Sequence, residues 1–357
     1  MADREVLLLG SIALGNAEEV FRTIGSVLGS HIRRIPDGET GNARAYWIQC
    51  QNPFFLNNPQ LEMVERDPDN PDELRPARIP SNGLYSPTMA GAYTGQARVR
   101  AGIDPSEVHF DNFGYADWAI ESYATFKRLQ AEGAVPAGVK FQVSIPTTQV
   151  IMMARILPSE LPVIGPAYEA AIFREVERIC DAIPHEDLAV QWDCTEPSAY
   201  ETIPSPDARR GMVDHLISYA APVADDVELG YHLCYGDWEH RHMVEPKDAG
   251  VLVEMANAVS DGVSRPIGWF HLPVPRDRND DAYFAPLQGL KLHPETQLAL
   301  GLIHHTDGIE GTKARMLAAN KVVQDYAIAT ECGMGRRPPE TIQELLRIHK
   351  QAAELGI

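Results

Sequence analysis

Short apolar runs recur along the chain, and the segments between them have apolar residues at the spacing of amphipathic helices. Eight of these runs are seven or eight residues long and nearly continuous in hydrophobicity, which is typical of strands buried on both faces of a parallel sheet. The predicted strands are VLLLGSI (6–12), HIRRIPD (31–37), VKFQVSI (139–145), LAVQWDC (188–194), VELGYHLC (227–234), PIGWFHL (266–272), LALGLIHH (298–305) and YAIATEC (326–332).

The intervening segments carry helix start and stop signals. Asn16 is placed to cap a helix over 17–29, and Ser205 to cap another whose first helical residue is a proline. We predict further helices over 168–183, which a proline ends, and over 339–355. Strands that alternate with helices to a total of eight predict an α/β fold, a (β/α)8 TIM barrel that forms a single domain over 1–357. An open doubly wound sheet is the alternative, but GSIALGNAEE is a weak candidate for its glycine-rich phosphate turn.

One stretch, 52–105, breaks the alternation after the second predicted strand. It is rich in Pro, Asn, Asp and Gly, and loops of this length inside a compact domain are usually functional or mobile. We therefore predict a loop-rich insertion over the mouth of the barrel, a candidate lid. A plain surface excursion is the alternative reading.

Charge and cysteine usage narrow the class of function. The 357 residues carry a formal net charge of -19, which disfavours nucleic acid and anionic membranes as partners, and no apolar run is long enough to span a bilayer.

The first residues lack the basic region and cleavage site of a signal peptide. Five cysteines, an odd number in a long chain, favour reduced thiols over a disulfide scaffold, so we expect a cytoplasmic protein. Nothing in the sequence indicates the oligomeric state.

Active sites of such barrels lie at the carboxyl ends of the strands, so the polar residues at those positions are the candidates for chemistry. Metal-ligating and acid–base residue types are concentrated there. The polar residues at the predicted strand ends are Arg33, Arg34, Asp37, Glu39, Asp193, Cys194, Glu196, His232, Cys234, His271, His304, His305, Asp307, Glu331 and Cys332.

Three of these residues predict a zinc site. His232 and Cys234 are two apart on one strand and therefore face the same side, and Cys332 ends the last strand. One imidazole and two thiolates suit Zn²⁺, which favours nitrogen and sulfur ligands. A buried histidine beside a buried cysteine is the alternative for the isolated pair. We predict His271 as the fourth ligand rather than Glu254, which falls in a predicted outer helix; water or substrate can also fill that position.

Four segments carry a family resemblance. GYHLCYGDWEHRH and ECGMGRRPPETIQEL resemble the zinc-binding elements of cobalamin-independent methionine synthase, and VQWDCTEPSAYE and LLLGSIALG resemble its fourth-strand acidic cluster and first-strand turn. The resemblance covers most of the chain and corresponds to the catalytic half of that family. Its wider superfamily includes uroporphyrinogen decarboxylase-like barrels and zinc-dependent alkyltransferases.

The resemblance implies roles for individual residues. His232, Cys234 and Cys332 match the family's zinc ligands, and Asp193 matches an aspartate that holds the amino group of the thiol substrate. His271 stands where the family has a glutamate ligand. The implied enzyme is a methyltransferase-like transferase whose partners are a small-molecule thiol and an alkyl donor.

Zinc can supply the thiolate that such a reaction needs. A free thiol is mostly protonated at neutral pH, whereas a zinc-bound one is not, and it can attack an activated methyl group or an epoxide carbon. Acids placed to protonate a leaving oxygen or nitrogen are candidates by position only. They are Glu196, His304, His305 and Asp307.

Other functions fit the same pattern. The zinc could activate water in a hydrolase or lyase, although such sites more often use histidine and carboxylate ligands. A metal-free, decarboxylase-like enzyme would use Arg33, Arg34 and Asp37 for an acidic substrate. A zinc- or thiol-binding protein without turnover is the non-enzymatic alternative.

Overall fold

A computed structural model describes residues 3–41, 43–46, 48–86, 91–237 and 241–357. The part of the chain that it describes contains ten strands of three or more residues. They are β1 (Arg34–Pro36), β2 (Leu61–Arg66), β3 (Leu74–Pro76), β4 (Gln96–Val99), β5 (Lys140–Pro146), β6 (Leu188–Cys194), β7 (Glu228–Leu233), β8 (Trp269–Pro273), β9 (Gln297–Ile303) and β10 (Ala327–Thr330).

Seven of these strands form one curled parallel sheet in the order β1-β5-β6-β7-β8-β9-β10. Every neighbouring pair is parallel, and the strands follow one another in chain order. Between β1 and β5 the chain forms β2, β3 and β4, which do not belong to this sheet. These seven strands correspond to seven of the eight apolar runs, and every bound differs from prediction by three residues or fewer. The α/β class with a parallel sheet is thus confirmed.

The first predicted strand, 6–12, pairs only through isolated bridges. Val6 bridges Ile328 of β10, and Ser11 bridges Gly38 just beyond β1. Backbone hydrogen bonds join the same segment to both edges of the sheet. The Leu7 N–H donates to the Ile328 carbonyl (2.9 Å), and the Ile12 N–H donates to the Gly38 carbonyl (2.8 Å). The segment therefore lies between the two edge strands without forming a regular ladder to either.

A small apolar cluster fills the inside of the curl. Leu7 and Leu9 pack there with Trp269 and with alanines of β6, β9 and β10. Gly230 of β7 makes room for the indole, because a Cβ at that position would lie 1.9 Å from Trp269. The small residues around one large ring let the sheet curl around a filled interior.

Eleven helices occur in the described residues, and the longer ones cover the outer face of the sheet. They are α1 (Ala17–Leu28), α2 (Asn52–Leu56), α3 (Tyr115–Ala131), α4 (Thr148–Arg155), α5 (Leu161–Ala182), α6 (Glu196–Thr202), α7 (Pro206–Ser218), α8 (Gly250–Gly262), α9 (Asp281–Phe284), α10 (Gly308–Ala319) and α11 (Ile342–Ala353). None of them is long and apolar enough to cross a membrane.

The predicted helix caps are confirmed. The Asn16 side chain accepts from the Glu19 N–H, and the Ser205 hydroxyl accepts from the Ala208 N–H. The helix predicted over 168–183 begins earlier, at Leu161, and contains Pro166 in its second turn, where the missing N–H removes one backbone hydrogen bond. Helix α3 was not predicted; its apolar face is weak, and it is buried through small residues and rings between α1 and α5.

The insertion 52–105 has structure of its own. β2 pairs antiparallel with β3 and with β4, which makes a small three-stranded sheet. The Arg155 guanidinium of α4 donates to the Asn52 side chain (2.6 Å), and the Gln49 amide donates to the Ser86 carbonyl (2.8 Å). Hydrogen bonds thus tie the start of the insertion and its middle, at Ser86, to neighbouring elements.

The two arginines predicted at the end of the second strand lie elsewhere. β1 begins at Arg34 rather than at residue 31, so Arg33 and Arg34 stand at the amino end of the sheet. Arg34 donates to Glu228 (2.7 Å) and to Glu5 (3.2 Å), which are also at that end. This corrects the interpretation in which both arginines bind an acidic substrate at the carboxyl ends of the strands.

Candidate metal centre

Strand register places three of the predicted site residues side by side. Asp193 of β6 pairs with His232 of β7, and His232 pairs with His271 of β8. The row lies at the carboxyl ends of these strands. Cys234 follows immediately, and its N–H still bonds to the Cys194 carbonyl (2.7 Å), so it keeps the strand alternation that turns it to the same side as His232.

His232, Cys234 and Cys332 form what we call the ligand cluster. One ligand atom from each lies within 4.8 Å of the others, and the two Sγ atoms are 3.7 Å apart. Two sulfurs bound tetrahedrally at about 2.3 Å from one ion would be about 3.8 Å apart, so the sulfur spacing fits Zn²⁺. His232 and Cys234 are 2 % and 4 % exposed, which shields the cluster from solvent.

Because these thiols are buried, their ionised forms need a nearby positive charge. The hydrogen bond with Cys234, in which the protonated Cys332 thiol donates, raises the pKa of Cys332 well above its ordinary value, and so do burial and the charge of the Cys234 sulfur. A thiolate at this position therefore needs a positive partner. The Gly236 N–H, 3.2 Å from the Cys234 sulfur, supplies only a partial charge, whereas a divalent ion would offset the charges of both thiolates.

His271 does not join the cluster; it orients His232 instead. Its Nε2 lies 3.0 Å from the Thr330 carbonyl, which can only accept, so Nε2 carries the proton. Burial and the nearby His232 hold the pKa of His271 well below its usual value, so the ring is neutral and its Nδ1 has a lone pair. That Nδ1, 2.7 Å from the Nδ1 of His232, accepts the His232 proton.

The consequence is that His232 presents a lone pair at Nε2. Among the described residues this buried atom has no partner in hydrogen-bond geometry, and the nearby Cys332 sulfur raises the pKa of His232. The prediction that His271 is the fourth ligand is thus not supported by the geometry, because both of its nitrogens are engaged. Gly301 of β9 permits this arrangement, since a Cβ there would lie 2.8 Å from the Thr330 carbonyl and 3.0 Å from the His271 Nε2.

Three carboxylates line a cavity of about 60 Å³ together with the ligand cluster, and two of them, Asp193 and Glu39, lie close enough to affect each other. Burial raises the pKa of Asp193 to about 6, although His232 and a hydrogen bond from Gln191 (2.8 Å) lower it. Burial and repulsion by Asp193 raise the pKa of Glu39 well above its ordinary value. A bound cation would relieve this repulsion, so the pair can hold a positively charged group.

The backbone holds Glu39 in an unusual conformation. Its φ of 48° is the one positive value found among the described residues other than glycine, and this region is costly for residues with a Cβ. The Asp37 carboxylate accepts from the Glu39 N–H (2.8 Å) and is itself held by Arg44 (2.9 Å) and Ser122 (2.7 Å). With the backbone in this conformation, the Glu39 side chain lies over Gly10 and lines the cavity.

The other predicted catalytic residues lie outside this cavity. Glu196 begins α6, is buried, and burial raises its pKa to about 7. Asp307 is paired with Arg315 (2.6 Å), and His304 lies between Glu331 (3.3 Å) and the Val274 carbonyl (2.8 Å) in a neighbouring cavity. The catalytic roles of Glu196, His304 and Asp307 stay predictions, because none of these three lines the cavity of the ligand cluster, whereas Asp193 does.

Comparison with solved structures shows which proteins share this fold. No protein-family model and no curated protein sequence matches the chain. A B12-independent methionine synthase from Shewanella sp. W3-18-1, solved in complex with selenomethionine, is similar at 14% identity over 99% of this chain and 98% of that one, with a TM-score of 0.60. A protein from Listeria monocytogenes described as a vitamin-B12-independent methionine synthase is similar at 14% identity over the same shares, with a TM-score of 0.54.

The chain has the fold of these methionine synthases. The likeness extends over the whole chain and so agrees with the family resemblance of its sequence motifs. Sequence reasoning placed Glu39 at a strand end but gave it no role; the turn-forming Asp37-Gly38 pair before it was the signal that could have marked it.

Proposed function

We propose that the protein is a zinc-dependent transferase that activates a substrate thiol for attack on an alkyl carbon. The ligand cluster carries this proposal, because two cysteines and one oriented imidazole open onto a cavity with no fourth protein ligand among the described residues. When bound, Zn²⁺ lowers the pKa of a thiol at that open position and so supplies a thiolate near neutral pH.

Ligand charge favours a thiol over water as the bound nucleophile. Two cysteine thiolates would balance the charge of a bound Zn²⁺, so a substrate sulfur held there would keep a net negative site and stay electron-rich. Hydrolytic zinc sites more often combine histidines with a carboxylate, and the carboxylates here face the cavity beside the cluster rather than join it. The hydrolase or lyase alternative is therefore disfavoured.

The chain's own residues would bind and orient the substrate. Asp193 and Glu39 would hold a cationic group of the thiol substrate, which agrees with the role that the family resemblance implies for Asp193. Leu9, Ile48 and Met243 give the cavity apolar walls that exclude water from the nucleophile.

We also propose that residues 6–12 complete the predicted (β/α)8 barrel. Bridges to both edge strands and the packing of Leu7 and Leu9 inside the curl support this.

Metal content tests the proposed function. Protein purified without added metal should contain about one zinc per chain by elemental analysis. The variants Cys234→Ser and Cys332→Ser should each lose most of it, whereas Cys180→Ser on α5 should keep it. Thiol binding to the zinc-loaded protein, followed by calorimetry, then separates thiol activation from water activation. Full zinc retention in both cysteine variants would contradict the proposal that the ligand cluster binds zinc.

A further inference from the structure

A second, larger cavity lies next to the one that contains the ligand cluster, and it has no part in the proposed function. Its volume is about 510 Å³, against about 60 Å³ for the cavity of the ligand cluster. The loops after β7, β8, β9 and β10 form its walls and contribute Arg241, Arg276, His304 and Arg337. Small-molecule sites usually measure roughly 300–1,000 Å³, so this cavity has room for an organic molecule.

Basic side chains outnumber acidic ones in the lining of this second cavity. Four arginines and two histidines line it, against three acidic residues. The chain as a whole has the opposite balance, with 31 Lys and Arg against 50 Asp and Glu. The cavity is therefore a locally basic surface on an acidic protein, and such a surface attracts anions.

The buried acid of this lining is shared by several basic groups. Glu331 is only 9% exposed, and one of its carboxylate oxygens lies 3.4 Å from the Arg337 Nη2. Two imidazoles also face this carboxylate, His304 at 3.3 Å and His242 at 3.6 Å. Because three basic groups share one carboxylate at long distances, much of their capacity to bind an anion is unused.

Arg337 is the group best placed to use that capacity. Its side chain is 12% exposed, and its contact with Glu331 involves one nitrogen. Within the described part of the chain, its Nε and Nη1 have no hydrogen-bond partner, yet both keep accessible surface. The Nε of the adjacent Arg336, which lines the cavity of the ligand cluster, is by contrast buried. The free donors of Arg337 suit a carboxylate or a phosphate.

We propose that this second cavity is a separate ligand site, for an organic molecule whose phosphate or carboxylate group binds Arg337. Arg276 lines the same cavity and is 51% exposed, so it adds attraction from the solvent side. The inference goes beyond the proposed function and does not depend on zinc.

Two anions and their neutral counterparts test the site by calorimetry at low ionic strength. At least one of glycerol 3-phosphate and glutarate should bind about 10- to 100-fold more tightly than glycerol or glutaramide, respectively, as for a charged hydrogen bond. The anion that binds shows whether the site takes phosphate or carboxylate. Arg337→Met should remove most of this preference, and Arg276→Met should weaken anion binding about 2- to 5-fold. Arg33→Met is the control, because it makes the same change of charge at an exposed position of the amino end.

The outcomes separate this inference from the proposed function. If neither anion is preferred over its neutral counterpart, or if Arg33→Met weakens binding as much as Arg337→Met, the inference is overturned. If Arg337→Met does not fold, equal anion binding by Arg276→Met and Arg33→Met overturns it. Cys234→Ser should lose zinc and keep anion binding. Loss of anion binding in that variant would show that the anion binds the metal, and would also overturn the inference.

Discussion

Two clusters of buried charge, one around Arg34 at the amino end of the parallel sheet and one around the ligand cluster at its carboxyl end, are paired in different ways. At the amino end, Arg34 is only 4 % exposed, yet it donates to Glu228, Glu5 and Gln297 and stacks on the Trp269 ring at 4.4 Å. At the carboxyl end, the polar groups around the ligand cluster are incompletely paired. Within the described part of the chain, the His232 Nε2 and the Arg336 Nε have no hydrogen-bond partner, and the carboxylates of Glu39 and Asp193 repel each other.

This difference distinguishes buried charges that stabilise the fold from buried groups that are available to a ligand. A buried charge with all its partners stabilises one arrangement of the chain, whereas buried groups left with unused bonding capacity favour a ligand that supplies what is missing. The amino end therefore holds the sheet together, and the carboxyl end is organised to bind. Substitutions at the two ends should affect different measurements.

The largest effect on stability should come from the amino end. Arg34→Met should lower the free energy of unfolding by about 3 kcal/mol, because it leaves Glu5 and Glu228 without their shared buried cation. Denaturant unfolding measures the loss, and zinc content should not change. Arg33→Met is the control: this side chain is 72% exposed and pairs with the same Glu5, so its removal should cost less than about 1 kcal/mol. Equal losses in both variants would contradict the view of a buried network.

At the carboxyl end, Asp193→Asn should affect binding instead. If Asp193 holds an ammonium group, the variant should keep its zinc and bind 2-mercaptoethylamine more weakly by roughly 2 to 3 kcal/mol, while 2-mercaptoethanol binding changes little. Calorimetry with both thiols measures the difference. A fall in zinc affinity with equal weakening of both thiols would show that Asp193 supports His232 instead. No change in either would remove it from the site.

His271 sharpens the comparison, because it is buried and paired but belongs to the carboxyl end. His271→Phe removes the acceptor of the His232 proton, so zinc affinity should fall about 10- to 100-fold, as for other residues that orient metal ligands. Competition with a chelator of known affinity measures it. His349→Phe is the control, since His349 is equally buried but lies on α11 and bonds to the Leu345 carbonyl. Unchanged affinity in the His271 variant would show that His232 needs no orienting partner.

The smallest effect concerns the insertion 52–105. We propose that it moves relative to the parallel sheet as a lid, because Ser86 lines the site cavity and the three strands of the insertion form a separate small sheet. Amide hydrogens of β2, β3 and β4 should therefore exchange faster than those of β6 and β7. Protection equal to that of the parallel strands would count against a lid.

The sequence by itself determined the elements and the ligand cluster. Continuous apolar runs between helix signals predicted seven strands of the parallel sheet, since burial on both faces leaves a pattern that needs no tertiary information. His232 and Cys234 could be paired because side chains two apart on a strand share a side, and Cys332 could be joined to them because parallel strands end at one edge.

Only the tertiary structure decided the roles of the remaining residues. His271 became an orienting residue because the Thr330 carbonyl, 59 residues away in sequence, takes its Nε2 proton. Asp307 pairs with Arg315, and a start of β1 at Arg34 moved two arginines to the opposite end of the sheet. Sequence patterns show which side of an element is buried, but the partner that satisfies a buried polar group comes from another element. The neighbour, rather than the residue type, therefore settles whether such a group supports the fold or remains available to a ligand.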